Sequence, residues 1–357
     1  MVILHIACVD DNPVSGVDTV VPQHVVAQAK YADTALWNLK GVQIASLDKT
    51  LTGDSLGSLP EPYSKPDIAV FHEVYKPKYI PISKELRRLG IPYVVVPHSS
   101  LNRAAQKKSR IKKLPANLLM FRPFCDNAAG IQCLSETEKR ESVFGRDLFV
   151  ATNGFYPPEH TKQSFGESST RFVFIGRLEP YIKGLDIMIK AFAREKVFLE
   201  KNNCRLDIYG PFNHRGERFD DRIRALIDAE NAQELIRLHD SVSGDDKRSV
   251  LLESDVFVQT SRSDGMPMGV LEALATGLPC VVTQGTTLAD AVESFKAGRG
   301  VKTDADAVAD ALKKIVAERS DMKKLSENAL RLSREFEWDK VALTAVRQYR
   351  KYVNTEN

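Results

Sequence analysis

Residues 171–192 read RFVFIGRLEPYIKGLDIMIKAF, and this stretch decides the fold class. Arg171 to Ile175 is a short apolar run with β-branched and aromatic side chains, and it stops at Gly176. After a turn, Leu185, Met188, Ile189 and Phe192 recur at helical spacing, which puts them on one face and predicts that they are core. A strand, a short loop and an amphipathic helix in that order form the repeating element of a parallel sheet wrapped by helices.

The same alternation runs outward in both directions. Candidate strands of the first half are Val2–Cys8, Val42–Leu47, Asp67–Phe71, Pro92–Val96 and Ala129–Cys133. Those of the second half are Arg171–Ile175, Arg205–Tyr209, Asp255–Gln259 and Pro279–Thr283. Between them, residues 153–170 read NGFYPPEHTKQSFGESST, rich in Gly, Pro, Ser and Thr and without periodicity. The expected organisation is a domain over 1–152, a linker over 153–170 and a domain over 171–337, both α/β with doubly wound, Rossmann-like parallel sheets. The length of 357 residues, at roughly 150 per domain, agrees.

Composition narrows the function. Apolar residues at 43% and charged residues at 27% exclude a disordered, collagen-like or disulfide-dense chain. Fifty basic against 47 acidic residues give a net charge of +3, too small and too dispersed for a nucleic-acid partner. Five cysteines without a CxxC pair read as reduced core thiols of a cytoplasmic protein. The opening MVILHIACVDD lacks a basic region and reads as a strand, not a signal peptide. No apolar run reaches the roughly 18 residues that span a bilayer, so membrane contact is expected to be peripheral.

Doubly wound sheets bind ligands beyond the carboxyl ends of their strands, so chemistry is sought in the loops there. There is no GxGxxG or Walker A sequence. The loop GRLEPYIKGLD instead offers Arg177 and Lys183, which suit a diphosphate, the first as a planar fork and the second as a point charge. Taken alone, they read equally as solvated surface cations. The loop TSRSDGMPMGVLEALATGLP places Asp264 and Gly265 before Pro267, which is preset for helix initiation. Amides from Gly265 to Val270 and the helix dipole would then form an anion site, with Glu272 a turn further in and within reach of ribose hydroxyls.

In the first half, His98 follows the run IPYVVVP, and His72 and Glu73 follow DIAVF. Each is either a structural side chain or a substrate contact. Gly16 either lets backbone approach a phosphate or makes an ordinary strand-to-helix turn. Residues 103–122 carry Arg103, Lys107, Lys108, Arg110, Lys112, Lys113 and Arg122 with no acidic residue, interleaved with Leu114, Leu118, Leu119 and Phe121. This stretch is either a solvated helix or a surface for anionic membrane or a lipid diphosphate, each cation contributing about 1 kcal/mol. Asp304 and Asp306 have DxD spacing but sit in an Ala-rich helical stretch. Histidines are scattered singly, so no metal site and no metal requirement are expected.

The GR…KG loop and the acidic pair separated by seven residues, Asp264 and Glu272, resemble the signature of the retaining GT-B glycosyltransferases of glycosyltransferase family 4, also called glycosyl transferases group 1. Asn153-Gly154-Phe155 and Phe336-Glu337-Trp338-Asp339 are similar to that family's linker start and to the segment before its final helix. The resemblance is strongest over 150–340. It implies two domains facing a cleft, with a helix over 338–357 returning to the first. It implies no cofactor beyond a nucleotide-sugar co-substrate.

Carried over position by position, the resemblance implies Arg177 and Lys183 on the diphosphate, Glu272 on the ribose and Asp264 on donor-sugar hydroxyls. Gly16, Gly176, Gly210, Ser243, Gly265, Met266, Pro267, Met268, Gly269, Val270 and Leu271 would line the donor. His98 would stand near the donor sugar, with His72, Glu73 and Arg103 toward the acceptor. Asp264 departs from the usual Glu by one methylene, which leaves open which hydroxyl it reaches. The implied reaction moves a hexose from a nucleotide diphosphate sugar, UDP-linked before GDP-mannose, to a saccharide or lipid-linked saccharide of capsule, exopolysaccharide or lipopolysaccharide. A catalytically silent nucleotide-sugar or glycan binder and an epimerase or phosphorylase on the same plan are the rival readings.

Overall fold

The computed structural model describes residues 1–11, 16–103, 106, 114–214 and 216–353. The chain forms two compact units, one of Met1–Gly154 with Glu337–Asn357 and one of Phe155–Phe336.

The first unit is built on seven parallel strands in the spatial order Thr50–Leu51, Asp33–Asn38, Val2–Ala7, Ile68–His72, Tyr93–Val96, Gly130–Cys133 and Leu148–Val150. Helices cover both faces of such a sheet, so its central strands are buried; all five residues of Ile68–His72 are. The chain order reverses between Val2–Ala7 and Ile68–His72, the switch point where doubly wound sheets open a crevice. The strand expected at Val42–Leu47 is irregular chain beyond the turn at Gly41, and the real strand is Asp33–Asn38. Ala35, Leu36 and Trp37 are at most 1% exposed there, whereas Val42 is 37% exposed. Ala35 and Leu36 lack the branched Cβ that marks a strand in sequence, and burial decides instead. The helix Trp338–Val353 packs on this unit. Trp338 clusters with Val20 and Ala27, and the Tyr349 hydroxyl donates to Gln132 Oε1.

The second unit has six parallel strands in the order Ile236–His239, Cys204–Tyr209, Thr170–Ile175, Val256–Gln259, Cys280–Thr283 and Gly298–Val301. Its switch point lies between Thr170–Ile175 and Val256–Gln259. Leu185, Met188, Ile189 and Phe192 are all 0% exposed, as their spacing requires, each contributing about 1.5–3 kcal/mol by burial. The segment before the first of these strands is tied to this unit: Lys162 donates from its backbone to Thr276 O at 2.8 Å and from Nζ to Leu252 O at 3.0 Å. Besides Asp33–Asn38, the sheet strands that the sequence reading passed over, Thr50–Leu51, Leu148–Val150, Ile236–His239 and Gly298–Val301, are two to four residues long and lie at sheet edges.

Candidate active site

The two loops that flank the second unit's switch point meet directly. Arg262 N donates to Ile182 O at 2.8 Å, stitching the loop after Val256–Gln259 to the loop after Thr170–Ile175. The Arg262 guanidinium then forks onto both carboxylate oxygens of Asp186 at 2.7 Å each, donates to Tyr181 O at 2.8 Å and stacks over the Tyr181 ring. Burial pushes the Asp186 carboxyl up, but the Arg262 fork outweighs it and holds the group below its ordinary value. Gly184 is the hinge of this arrangement. Its φ is +65°, and a Cβ there would sit 1.9 Å from Thr260 O, so the KG pair needs glycine on both counts.

This stitching brings Lys183 to Asp264. Lys183 Nζ is 2.5 Å from Asp264 Oδ2, with the side chains 16% and 12% exposed. Gln259 Nε2 donates to the same oxygen at 2.7 Å. Asp264 therefore has Oδ2 doubly engaged and Oδ1 as its remaining acceptor, while the Lys183 ammonium keeps two of its three N–H donors. Arg177 is exposed, directly after Gly176. Gly176 and Gly210 close the floor backbone against backbone, since a Cβ on Gly210 would lie 2.1 Å from Gly176 O.

Beyond Asp264 the helix runs Met268–Thr276 with Pro267 as its N-cap, one position later than the sequence suggests. The amides of Val270 and Leu271 both turn back to Pro267 O, at 3.0 and 3.2 Å. They are spent inside the first turn, which corrects the expectation that they face a phosphate. The amides of Met268 and Gly269 precede any possible helical acceptor and are the ones the helix start presents. Val270 and Leu271 are 0% exposed and serve the core, Met266 and Met268 pack against that core from its edge, and Thr287 Oγ1 donates to Gly265 O at 2.9 Å. Glu272 is ion-paired with Lys247, which lies on the helix Gly244–Glu253 next to its N-cap Ser243. Asp304, of the DxD pair, caps the helix Ala305–Ala317 by accepting from Ala307 N at 2.8 Å. Among the described residues no group of three or more His, Cys, Asp or Glu is arranged to hold a metal ion.

In the first unit His98 stands two residues beyond the strand Tyr93–Val96 with φ +49°, followed by Ser99 at +64°. Two consecutive non-glycine residues in the left-handed region store about 1–3 kcal/mol each, a kind of strain that clusters at functional sites. Glu138 holds this corner by accepting from Ser99 N at 2.5 Å and Leu134 N at 2.6 Å. His72 is 1% exposed, and its Nε2 and Nδ1 contact His5 and His98, so it holds other imidazoles and has no nitrogen for an acceptor. Glu73 turns out of the strand at φ +69° and pairs with Lys76 at 2.9 Å. Arg103 is exposed, and Gly16 opens the helix Gly16–Gln28 with open space where a Cβ would stand. Of the basic stretch, Lys107, Lys108, Arg110, Lys112 and Lys113 lie outside the described residues.

Sequence reasoning missed Gln259, Arg262, Asp186 and Lys247 in the second unit and His5 and His24 in the first. A polar residue ending the apolar run VFVQ, and a histidine inside VILHIA, were the available signals.

Residues 157–332 match the family model described as glycosyl transferases group 1. The chain is 26% identical over 216 residues to D-inositol 3-phosphate glycosyltransferase of Arthrobacter sp. (strain FB24), a match covering 59% of this chain and 49% of the relative. The chain thus spans about half the length of that relative. Its fold is that of sucrose-phosphate synthase from Thermosynechococcus elongatus, with a TM-score of 0.74, 16% identity and 98% of each chain covered. Anabaena HepE in complex with UDP and glucose gives a TM-score of 0.70 at 15% identity, covering 98% of this chain and 100% of HepE. The architecture is GT-B.

Proposed function

Residues 157–332 make this chain a member of the glycosyl transferases group 1, and from that premise we propose that it is a retaining glycosyltransferase. It moves a hexose from a nucleotide diphosphate sugar to a saccharide or lipid-linked saccharide of capsule, exopolysaccharide or lipopolysaccharide. A UDP-sugar is the favoured donor and GDP-mannose the next. HepE, of the same fold, binds UDP and glucose, which supports the choice of UDP.

The observation that carries the reading is the 2.5 Å contact between Lys183 and Asp264 across the switch point. It joins a phosphate-binding cation to a sugar-binding carboxylate in one hydrogen bond. Lys183 can hold Asp264 with one N–H and a diphosphate oxygen with another, while Asp264 Oδ1 accepts from a sugar hydroxyl. Arg177 and the amides of Met268 and Gly269 complete the anion site, and Glu272 accepts from the ribose. Charge-assisted bonds contribute about 1.5–3 kcal/mol each and a helix start about 0.3–2 kcal/mol. These groups meet charge where it develops, because the bond from the anomeric carbon to phosphate breaks with its electron pair going to the phosphate oxygen. The acceptor oxygen bonds to that carbon on the same face, and its proton passes to the departing phosphate. No enzyme nucleophile enters the scheme.

Incubation with UDP-glucose, UDP-galactose or GDP-mannose and a lipid-linked saccharide, followed by proton NMR of the product, tests this. The expected product keeps the donor's anomeric configuration, and an inverted product removes the mechanism. A thermal-shift panel of UDP, GDP, ADP and dTDP reads the base, since a ligand of the folded state raises stability by mass action. No shift with any of the four, together with no donor consumption, removes the transferase reading.

Among the described residues no helix is long and apolar enough to cross a membrane. Leu114, Leu118 and Leu119 are 64%, 65% and 76% exposed beside the basic stretch, which supports peripheral attachment to an anionic membrane on its cytoplasmic face. Flotation with vesicles containing phosphatidylglycerol, lost at high salt, is the expected result.

A further inference from the structure

Lys247 lies on the packed face of the helix Gly244–Glu253, where the spacing of its neighbours calls for an apolar side chain. Val250 and Leu251, three and four residues on, share that face. Leu251 is 4% exposed, in one core cluster with Leu271 and Leu274 of the helix Met268–Thr276, and Val250 packs at the cluster's edge. The lysine also closes the first turn of its helix, where a cation opposes the dipole that Asp245 and Asp246 complement. Neither packing nor helix stability accounts for the charge. Arg248, the next residue, shows the ordinary case: it pairs within its own helix, with Asp245 at 3.3 Å, and their side chains are 42% and 91% exposed.

The partner of Lys247 is Glu272, on the helix Met268–Thr276. From Val270 to Thr276 only Glu272 is not buried. Its Oε2 is nevertheless buried, and among the described residues the Lys247 ammonium is the group that stands against it. The two side chains are 27% and 36% exposed, so the pair as a whole is open to a ligand. Oε1 is therefore the carboxylate oxygen within reach, and an ammonium with three N–H donors has some to spare beyond Oε2.

A carboxylate only accepts hydrogen bonds and an ammonium only donates them, whereas each hydroxyl of a vicinal diol does both. With one oxygen in reach, Glu272 alone can hold one hydroxyl. With Lys247 at its side, the pair can hold two. We propose that Lys247 is a specificity-determining residue that reads the ribose jointly with Glu272: Oε1 accepts from one of the 2′ and 3′ hydroxyls, Lys247 donates to the oxygen of the other, and the site thereby selects ribonucleotides over their deoxy forms. This rests on the reading of Glu272 as the ribose contact and adds to it a residue and a selectivity. A site built to bond a hydroxyl rejects the analogue that lacks it, because its own buried polar groups are then left unpaired.

Isothermal titration calorimetry of the full chain at pH 7.5 tests this, with UDP and GDP and the 2′-deoxy and 3′-deoxy form of each. The native chain should bind the better of the two ribonucleotides about tenfold more tightly than either of its deoxy forms. In Lys247→Met, which keeps the length of the stem and removes the donors, binding of that ribonucleotide should weaken about tenfold. Its preference over one deoxy form, the one lacking the hydroxyl that Lys247 holds, should fall to within twofold. Lys247→Leu, which suits the apolar stripe, serves if the first variant does not fold. A folded variant that keeps both preferences overturns the proposal, since a lysine that merely ties two helices together would change the melting temperature and not the selectivity. Native binding of a ribonucleotide with no preference over either deoxy form overturns it as well, while leaving the nucleotide reading of the site intact. Native chain that binds neither UDP nor GDP removes that reading and this one together.

Discussion

The strand-end loops of the two units solve opposite electrostatic problems. In the second unit the switch point is lined with charge: Lys183 paired with Asp264, Arg262 with Asp186, Lys247 with Glu272, and Arg177 exposed beside them. In the first unit the corresponding position holds His5 and His72, both buried, with the partly exposed His98 beyond them, joined nitrogen to nitrogen and kept neutral by their surroundings. Under the proposed function a diphosphate would be met by partners that already carry charge, held ready by carboxylates. The same fold, with the same reversal of strand order, thus presents an ionic face in one unit and a dipolar face in the other.

The largest effect that would break this contrast is in stability against pH. An unfolded histidine takes up a proton below about pH 6.5, whereas the folded chain keeps His5 and His98 neutral to about 3 and His24 to about 4. The unfolded state therefore binds more protons across this window, and stability is lost as pH falls from about 6.5. The loss levels off only near the folded values. Each imidazole contributes about 1.4 kcal/mol per pH unit, so urea unfolding should show a loss on the order of 5 kcal/mol between pH 7.5 and 5. A flat profile would mean that the imidazoles titrate normally and the first unit is not neutral by design.

Next in size is the ionic side. Lys183→Ala should lower kcat/KM more than a hundredfold, about 2.7 kcal/mol of transition-state stabilisation. Activity within threefold of the parent would remove Lys183 from the diphosphate. Gln259→Leu removes one of the two bonds on Asp264 Oδ2, and steady-state kinetics should show a loss of about tenfold. If Asp264 were only structural, that change would appear in the melting temperature and not in kcat/KM. The smallest effect sharpens the comparison: Arg262→Lys keeps the charge but loses the fork on Asp186, and calorimetry should show a destabilisation of about 1 kcal/mol. An unchanged melting temperature would mean that the backbone bond from Arg262 to Ile182 holds the two loops unaided.

Much of this was legible because local rules and tertiary structure agree. The helical spacing of Leu185, Met188, Ile189 and Phe192 and the glycine after Lys183 express requirements that act within a few residues, and each is met. Where a strand's only mark is burial, as in Asp33–Asn38, the sequence is silent and the more β-branched Val42–Leu47 misleads. The helix start was misplaced by one position for a similar reason. Pro267 can be the first helical residue or the cap before it, and its ψ of 89° makes it the cap, which spends the amides of Val270 and Leu271.

The amino-acid order alone determined two parallel α/β units and singled out Arg177, Lys183, Asp264 and Glu272 as candidate site residues, because strand ends, helix starts and charge are written in neighbouring positions. Tertiary structure alone decided that Lys183 and Asp264, 81 residues apart, share a hydrogen bond, and that His5, His72 and His98 form one line. Parallel strands adjacent in space are joined by long crossovers. Which side chains meet at their ends therefore depends on strand order and register, and no local pattern encodes either.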